Sequence, residues 1–171
     1  SRVRGSENAW TLAVEGGAKG EPEPAAHPYG TRVEVRDLFY ATPARLKFLK
    51  TARTEQMYAR EIMDRLAMAR PDVGFTLSGD NYKTILNYPA CEGDLFDARL
   101  KRLGAVMGRE FQDNALQIEA EREGIRLTGY AGVPTLNRGN AQMQFMFVNG
   151  RPVKDRLLQG AVRGAYQDFL A

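Results

Sequence analysis

Few residues in this chain have the types and spacing that covalent chemistry needs. One histidine, His27, and one cysteine, Cys91, are present among 171 residues. A single cysteine excludes an internal disulfide framework and a multi-cysteine zinc site. His27 sits in a Gly/Pro-rich stretch, and with no second histidine there is neither a His-based metal cluster nor a base around which to build a triad. No G-x-S-x-G elbow, H-E-x-x-H pair or Walker A loop occurs. Glu119 and Glu121 share one face of an expected surface strand, where solvation is the ordinary role of a carboxylate pair. The chemistry that the spacing does suggest is cationic. Phe147-Val-Asn-Gly-Arg-Pro-Val-Lys-Asp-Arg156 reads as a tight Asn-Gly hairpin running into a helix start, and it carries Arg151, Lys154 and Arg156. A basic hairpin of this kind contacts nucleic acid or is simply solvated.

A second segment, Gly30-Thr-Arg-Val-Glu-Val-Arg-Asp-Leu-Phe-Tyr-Ala-Thr-Pro-Ala-Arg-Leu-Lys-Phe-Leu49, also stands out. A strand runs into the Phe39-Tyr40 pair and then into a proline-started helix bearing Arg45, Lys47 and Lys50. Helical spacing brings Lys47 and Lys50 to one side. The same residues suit a plain strand–helix corner.

The elements that must position these residues can be read along the chain. Ala9–Val14 alternates enough for a strand. Five Gly and Pro between 16 and 24 lead into Pro28 and Gly30, which predicts a mobile loop over Gly16–Gly30. Thr31–Asp37 alternates as a half-buried strand. Thr42-Pro43 predicts an N-cap and first helical residue. A longer helix is expected from about Thr54 to Arg70, with Met57, Ile62, Leu66 and Ala69 as its apolar side. A hairpin is expected over Val73–Tyr88 around Gly79-Asp80-Asn81. Asp94 caps a helix that ends at Gly108 and carries Phe96, Leu100, Leu103 and Met107 on one face. Ala115–Glu121 and Ile125–Gly132 form another hairpin, Pro134–Ala141 a loop, and Gln144–Val153 the basic hairpin. The closing helix shows Leu157, Leu158, Ala161, Val162, Ala165 and Phe169 on its apolar side. The class is therefore α+β.

Composition sets the outer bounds. Lys and Arg number 24 against 21 Asp and Glu, for a net charge of +3, with 43% apolar and 26% charged residues. These proportions are those of a soluble globular protein and exclude wholesale disorder. No apolar run approaches the ~20 residues of a membrane span. Ser1 is not a methionine, and Ser1–Arg4 shows no secretory or transit pattern, so the chain is expected to be a piece of something longer.

Together the two long segments resemble the MutL family of DNA mismatch-repair proteins. The family pattern G-T-x-V-x-V-x-D-L-F-Y-N-T-P-A-R-x-K-F-L runs through residues 30–49, with Ala41 where the family usually has Asn. F/Y-V-N-G-R followed by D-R runs through Phe147–Arg151 and Asp155-Arg156. The resemblance implies a GHKL ATPase: residues 1–53 as the C-terminal part of the α/β-sandwich ATPase domain, and residues 54–171 as a ribosomal S five domain two-like transducer, truncated at its C-terminus. It implies ATP and Mg²⁺ as cofactors of the longer protein. Gly30 and Thr31 would line the adenine end of the nucleotide site. The family's catalytic and phosphate-binding motifs would lie before Ser1 and its second-domain lysine after Ala171, so no catalytic residue is expected here and the chain alone is expected to bind ATP weakly and to be inactive. Arg151, Lys154, Arg156 and Arg163 would wall a basic DNA groove, with Arg156 open to pairing with Asp155 or Asp168 instead. Implied partners are DNA, the mismatch sensor MutS, a second MutL subunit, and a downstream nuclease and helicase, in a bacterial cytoplasm with no membrane. The alternatives are a transducer piece of another GHKL ATPase, a type II topoisomerase, or a stand-alone nucleic-acid-binding module.

Overall fold

Turn chemistry sets most element boundaries in the computed structural model, which describes residues 1–136 and 143–167. The fold is α+β, and its contacts divide it into two units, Ser1–Glu55 and Gln56–Ala171.

The first unit is built from short antiparallel pairs. β1 (Ala9–Thr11) pairs with β4 (Glu23–Ala25), and β2 (Val14–Glu15) pairs with β3 (Ala18–Lys19). The loop expected over Gly16–Gly30 therefore holds a hairpin and a strand. Gly16 and Gly17 take φ of 56° and 92°, the two left-handed positions that a two-residue hairpin turn requires. The expected strand over Thr31–Asp37 does not form, and Val33 and Val35 are 81% and 73% exposed. Alternation specifies a strand only when a neighbour completes the ladder, and no described strand pairs with this one. After it comes a 3-10 helix, Pro43–Phe48, started by Pro43 as expected. Thr42 makes no side-chain cap; its carbonyl instead accepts the Arg45 N–H at 2.9 Å. Lys50 lies beyond this helix, so the expected Lys47/Lys50 face is not a helical one.

The second unit is organised by α1 (Ala52–Ala69), whose first turn belongs to the preceding unit. Thr51 Oγ1 accepts the Thr54 N–H at 3.3 Å and Glu55 accepts the Lys50 N–H at 2.7 Å, which starts the helix two residues before the expected Thr54. Against α1 lies the hairpin of β5 (Phe75–Ser78) and β6 (Thr84–Tyr88). The core is Ala67, Leu86 and Tyr88, flanked by Met63, Phe75, Leu77 and Val106. The buried face of α1 is thus not the expected one: Met57, Ile62 and Leu66 are exposed. Apolar residues lie around most of this helix, so periodicity alone leaves its direction open. Ala67, fully buried, gives the hairpin its close approach.

α2 (Leu95–Met107) begins and ends as expected. Asp94 accepts the Phe96 and Asp97 N–H groups at 2.7 and 3.1 Å, and Gly108 closes the helix at φ 100°. These two backbone bonds hold the Asp94 carboxyl below its ordinary range. A short helix, α3 (Arg109–Asp113), follows, which the sequence reading did not expect. β7 (Ala115–Arg122) and β8 (Ile125–Gly132) form the expected hairpin. Tyr130 Oη donates to the Phe96 carbonyl at 3.0 Å and ties β8 to α2.

Arg102 of α2 is 1% exposed. Its Nη2 donates to the carbonyls of Pro71, Val73 and Pro89 at 3.1, 2.8 and 2.8 Å. Its guanidinium also lies 5.8 Å from the Phe75 ring and 5.5 Å from that of Tyr88. One cation therefore ties α2 to the open end of the β5–β6 hairpin, where the chain enters β5 and leaves β6.

Candidate nucleic-acid interface

The basic hairpin forms as the sequence predicts. β9 (Met146–Val148) pairs with β10 (Arg151–Val153), and Val148 faces Arg151 in the register. Asn149 and Gly150 take φ of 49° and 75°. Asn tolerates the left-handed region and Gly enters it freely, so this pair turns the chain in two residues. Arg151 is the first residue out of the turn and is exposed.

α4 (Arg156–Tyr166) is fixed at both ends. Asp155 accepts the Leu158 N–H at 2.9 Å as its N-cap. Tyr166 Oη donates to the Gly132 carbonyl at 2.6 Å. That second bond sets the rotation of the helix. Gln159, Val162 and Tyr166 form its half-buried stripe, while Leu157 is 83% exposed. Of the expected apolar side, Val162 is on the packed stripe, whereas Leu157, Leu158, Ala161 and Ala165 are exposed and Gln159 and Tyr166 take their place. Phe169 and Asp168 lie outside the described residues.

Arg156 and Arg163 are both exposed. Seven residues, or two helical turns, separate them, so they share a face. Among the described residues neither forms an ion pair, and Arg156 does not pair with Asp155. Lys154 does have a partner: its Nζ lies 2.7 Å from Glu61 Oε1 of α1. The same Oε1 receives Arg65 Nη2 at 3.1 Å, and the Arg65 guanidinium stacks 5.0 Å from the Phe145 ring. The hydrogen bond from Lys154, and after it the one from Arg65, holds the Glu61 carboxyl below its ordinary range. Sequence reasoning missed Glu61. An i,i+4 Glu/Arg pair was visible, but nothing local announces a lysine from the far end of the unit.

In the first unit, Gly30 has φ 120°, a backbone state that a side chain would strain. It exchanges two backbone hydrogen bonds with Arg2, at 2.8 and 2.9 Å. Thr31 follows it and is exposed, so its hydroxyl is open to a polar ligand. Among the described residues no group of His, Cys, Asp and Glu is placed to hold a metal ion, and no helix is long and apolar enough to cross a membrane.

Comparison with known proteins gives a consistent set of similarities. Residues 103–171 match the family described as DNA mismatch repair protein, C-terminal domain. The DNA mismatch repair protein MutL of Rhodospirillum rubrum is 67% identical over the whole chain, and that of Paramagnetospirillum magneticum 62%. The chain spans 27% and 28% of these two relatives. Among solved structures, the Aquifex aeolicus MutL ATPase domain complexed with ADP superposes with a TM-score of 0.73 at 29% identity. It covers 96% of this chain, which in turn covers 60% of it. The N-terminal domain of a DNA repair protein, at 20% identity and a TM-score of 0.73, shares the fold.

Proposed function

Because the chain belongs to the MutL family of DNA mismatch repair proteins, we propose that it couples ATP binding and mismatch recognition by MutS to downstream strand incision and unwinding, and that it holds DNA through the hairpin and first turns of α4. Residues 1–53 serve as the end of the ATPase domain and 54–171 as the transducer. The observation that carries the DNA reading is the pair Arg156 and Arg163, exposed on one face of a helix fixed at both ends. Arg151 at the turn adds a third exposed cation, and Lys154, paired with Glu61, lies beside them in the same hairpin segment. Cations presented this way neutralise phosphates and read no bases, which suits a protein that acts wherever a mismatch falls.

Nucleotide enters this reading only in part. The Aquifex relative's ATPase domain is complexed with ADP. In this chain an exposed Thr31 hydroxyl beside the Gly30 backbone suits the adenine end, where a hydroxyl can donate to the base or an ordered water. The partners are DNA, MutS, a second MutL subunit, and a nuclease and helicase that act downstream, in the cytoplasm.

Arg156→Glu tests the DNA reading. Duplex affinity is measured across a salt series for wild type and variant. The expected result is weaker binding on every sequence, with the log–log salt slope reduced by about one. Unchanged affinity with an unchanged slope removes Arg156 from the interface.

A further inference from the structure

We propose that Glu61 is a positioning residue for the basic face, and that Lys154 is its anchor rather than a phosphate ligand. The inference rests on the reading of that face as a polyanion surface and assigns its members different tasks. Lys154 and Asp155 are consecutive. The first is fixed to α1 through Glu61 at 2.7 Å, and the second caps α4 through Leu158 at 2.9 Å. Arg156 is the next residue, so its backbone position is set by two restraints acting in series. The other end of the hairpin segment is held by the same helix, because Arg65 bonds to Glu61 at 3.1 Å and stacks on Phe145. Glu61 thus joins both approaches to the hairpin at one carboxylate. A lysine held at this distance by a carboxylate is already charge-compensated and releases little counterion when a phosphate arrives. Lys154 is exposed as well, but Arg151, Arg156 and Arg163 are the cations of this face without a carboxylate partner among the described residues.

Positioning and simple charge counting predict opposite signs, which makes the inference testable. Glu61→Gln removes a negative charge beside a basic face. Charge alone predicts tighter duplex binding; loss of the anchor predicts binding weaker by severalfold. The double variant Glu61→Gln/Lys154→Met keeps the wild-type net charge. Charge alone returns it to wild-type affinity, whereas positioning leaves it as weak as either single variant. Glu61→Asp, with charge kept and reach shortened, is also expected to bind weakly. It is the second arm should Gln disturb folding, which thermal melts of each variant monitor. Lys154→Met is expected to keep the wild-type salt slope; a slope smaller by about 0.9 would place Lys154 on a phosphate. Tighter binding by Glu61→Gln, or wild-type affinity in the double variant, overturns the proposal. Arg156→Glu is run alongside on the 171-residue chain. If it binds as wild type, the DNA reading itself has failed. If it weakens while the Glu61 variants do not, only the anchoring role has failed.

Discussion

Tyr88 and Asp64 join the hairpin to the helix beneath it: the phenol donates to Asp64 Oδ1 at 2.7 Å. Tyr88 is 7% exposed, in the middle of the core. Burial, and then the hydrogen bond to Asp64, push its hydroxyl up to about 12 from an ordinary 10. The neutral phenol is therefore favoured in the folded state. Its contribution is complete below the unfolded value near 10 and is lost as pH rises through about 12. Urea unfolding at about pH 8 and about pH 11 is expected to show wild type losing stability between the two, and Tyr88→Phe losing less. At the lower pH the variant should already be weaker by about 1 kcal/mol, the net worth of the bond. Parallel pH dependence in both proteins would contradict this account.

Arg102 supports a second prediction. It is buried against three carbonyls, all of which accept from Nη2, and its guanidinium lies near the Phe75 and Tyr88 rings. An ammonium can donate to carbonyls but is carried on a shorter chain and presents no flat, delocalised face to the two rings. Arg102→Lys is expected to cost about 2–4 kcal/mol, near the range for breaking a buried charged network, and to lower Tm accordingly. A loss within ~0.5 kcal/mol, the level of an ordinary surface change, would show that the three carbonyls are satisfied without it.

What was legible in the sequence followed from local rules. Asp94 and Gly108 bracket α2, and Asn149-Gly150 turns the basic hairpin, because a cap or a two-residue turn acts within a few residues of its own position. Failures came where distant chain decides. Thr31–Asp37 has the pattern of a strand but no described partner. α1 offers apolar residues on most sides, and only the β5–β6 hairpin selects Ala67. Gly16–Gly30 has the composition of a mobile loop, yet Gly16-Gly17 turns a hairpin whose strands are set by pairing. At the candidate interface the cations were legible, but the carboxylate that holds one of them was not. Glu61 and Lys154 are brought together by the fold alone.

Asp155→Ala tests how far α4 depends on its cap. The carboxylate accepts from Leu158 N–H at 2.9 Å, and at the other end Tyr166 bonds the helix to β8. Losing an N-cap acceptor costs about 1 kcal/mol. Asp155→Asn keeps an acceptor and should recover most of that loss. Hydrogen exchange is the direct readout: faster exchange at the first turn of α4 in Asp155→Ala, with β5–β6 unchanged. Uniformly faster exchange across the unit would mean that the cap supports global rather than local stability.

Nucleotide titration separates the two ends of the ATP reading. Most ATP affinity in a phosphate-binding site comes from a cradle of backbone N–H groups and a metal ion on the phosphates, with the base adding less. On the proposed reading Gly30 and Thr31 serve the base end alone, and among the described residues no group of His, Cys, Asp and Glu is placed to hold a metal ion. Isothermal titration of the 171-residue chain is expected to show no micromolar ATP binding with or without Mg²⁺, and Thr31→Ala should not alter the trace. A micromolar Kd would mean that phosphate-binding groups lie within this chain. Loss of that affinity in Thr31→Ala would then place Thr31 in the site, and its persistence would move the site elsewhere.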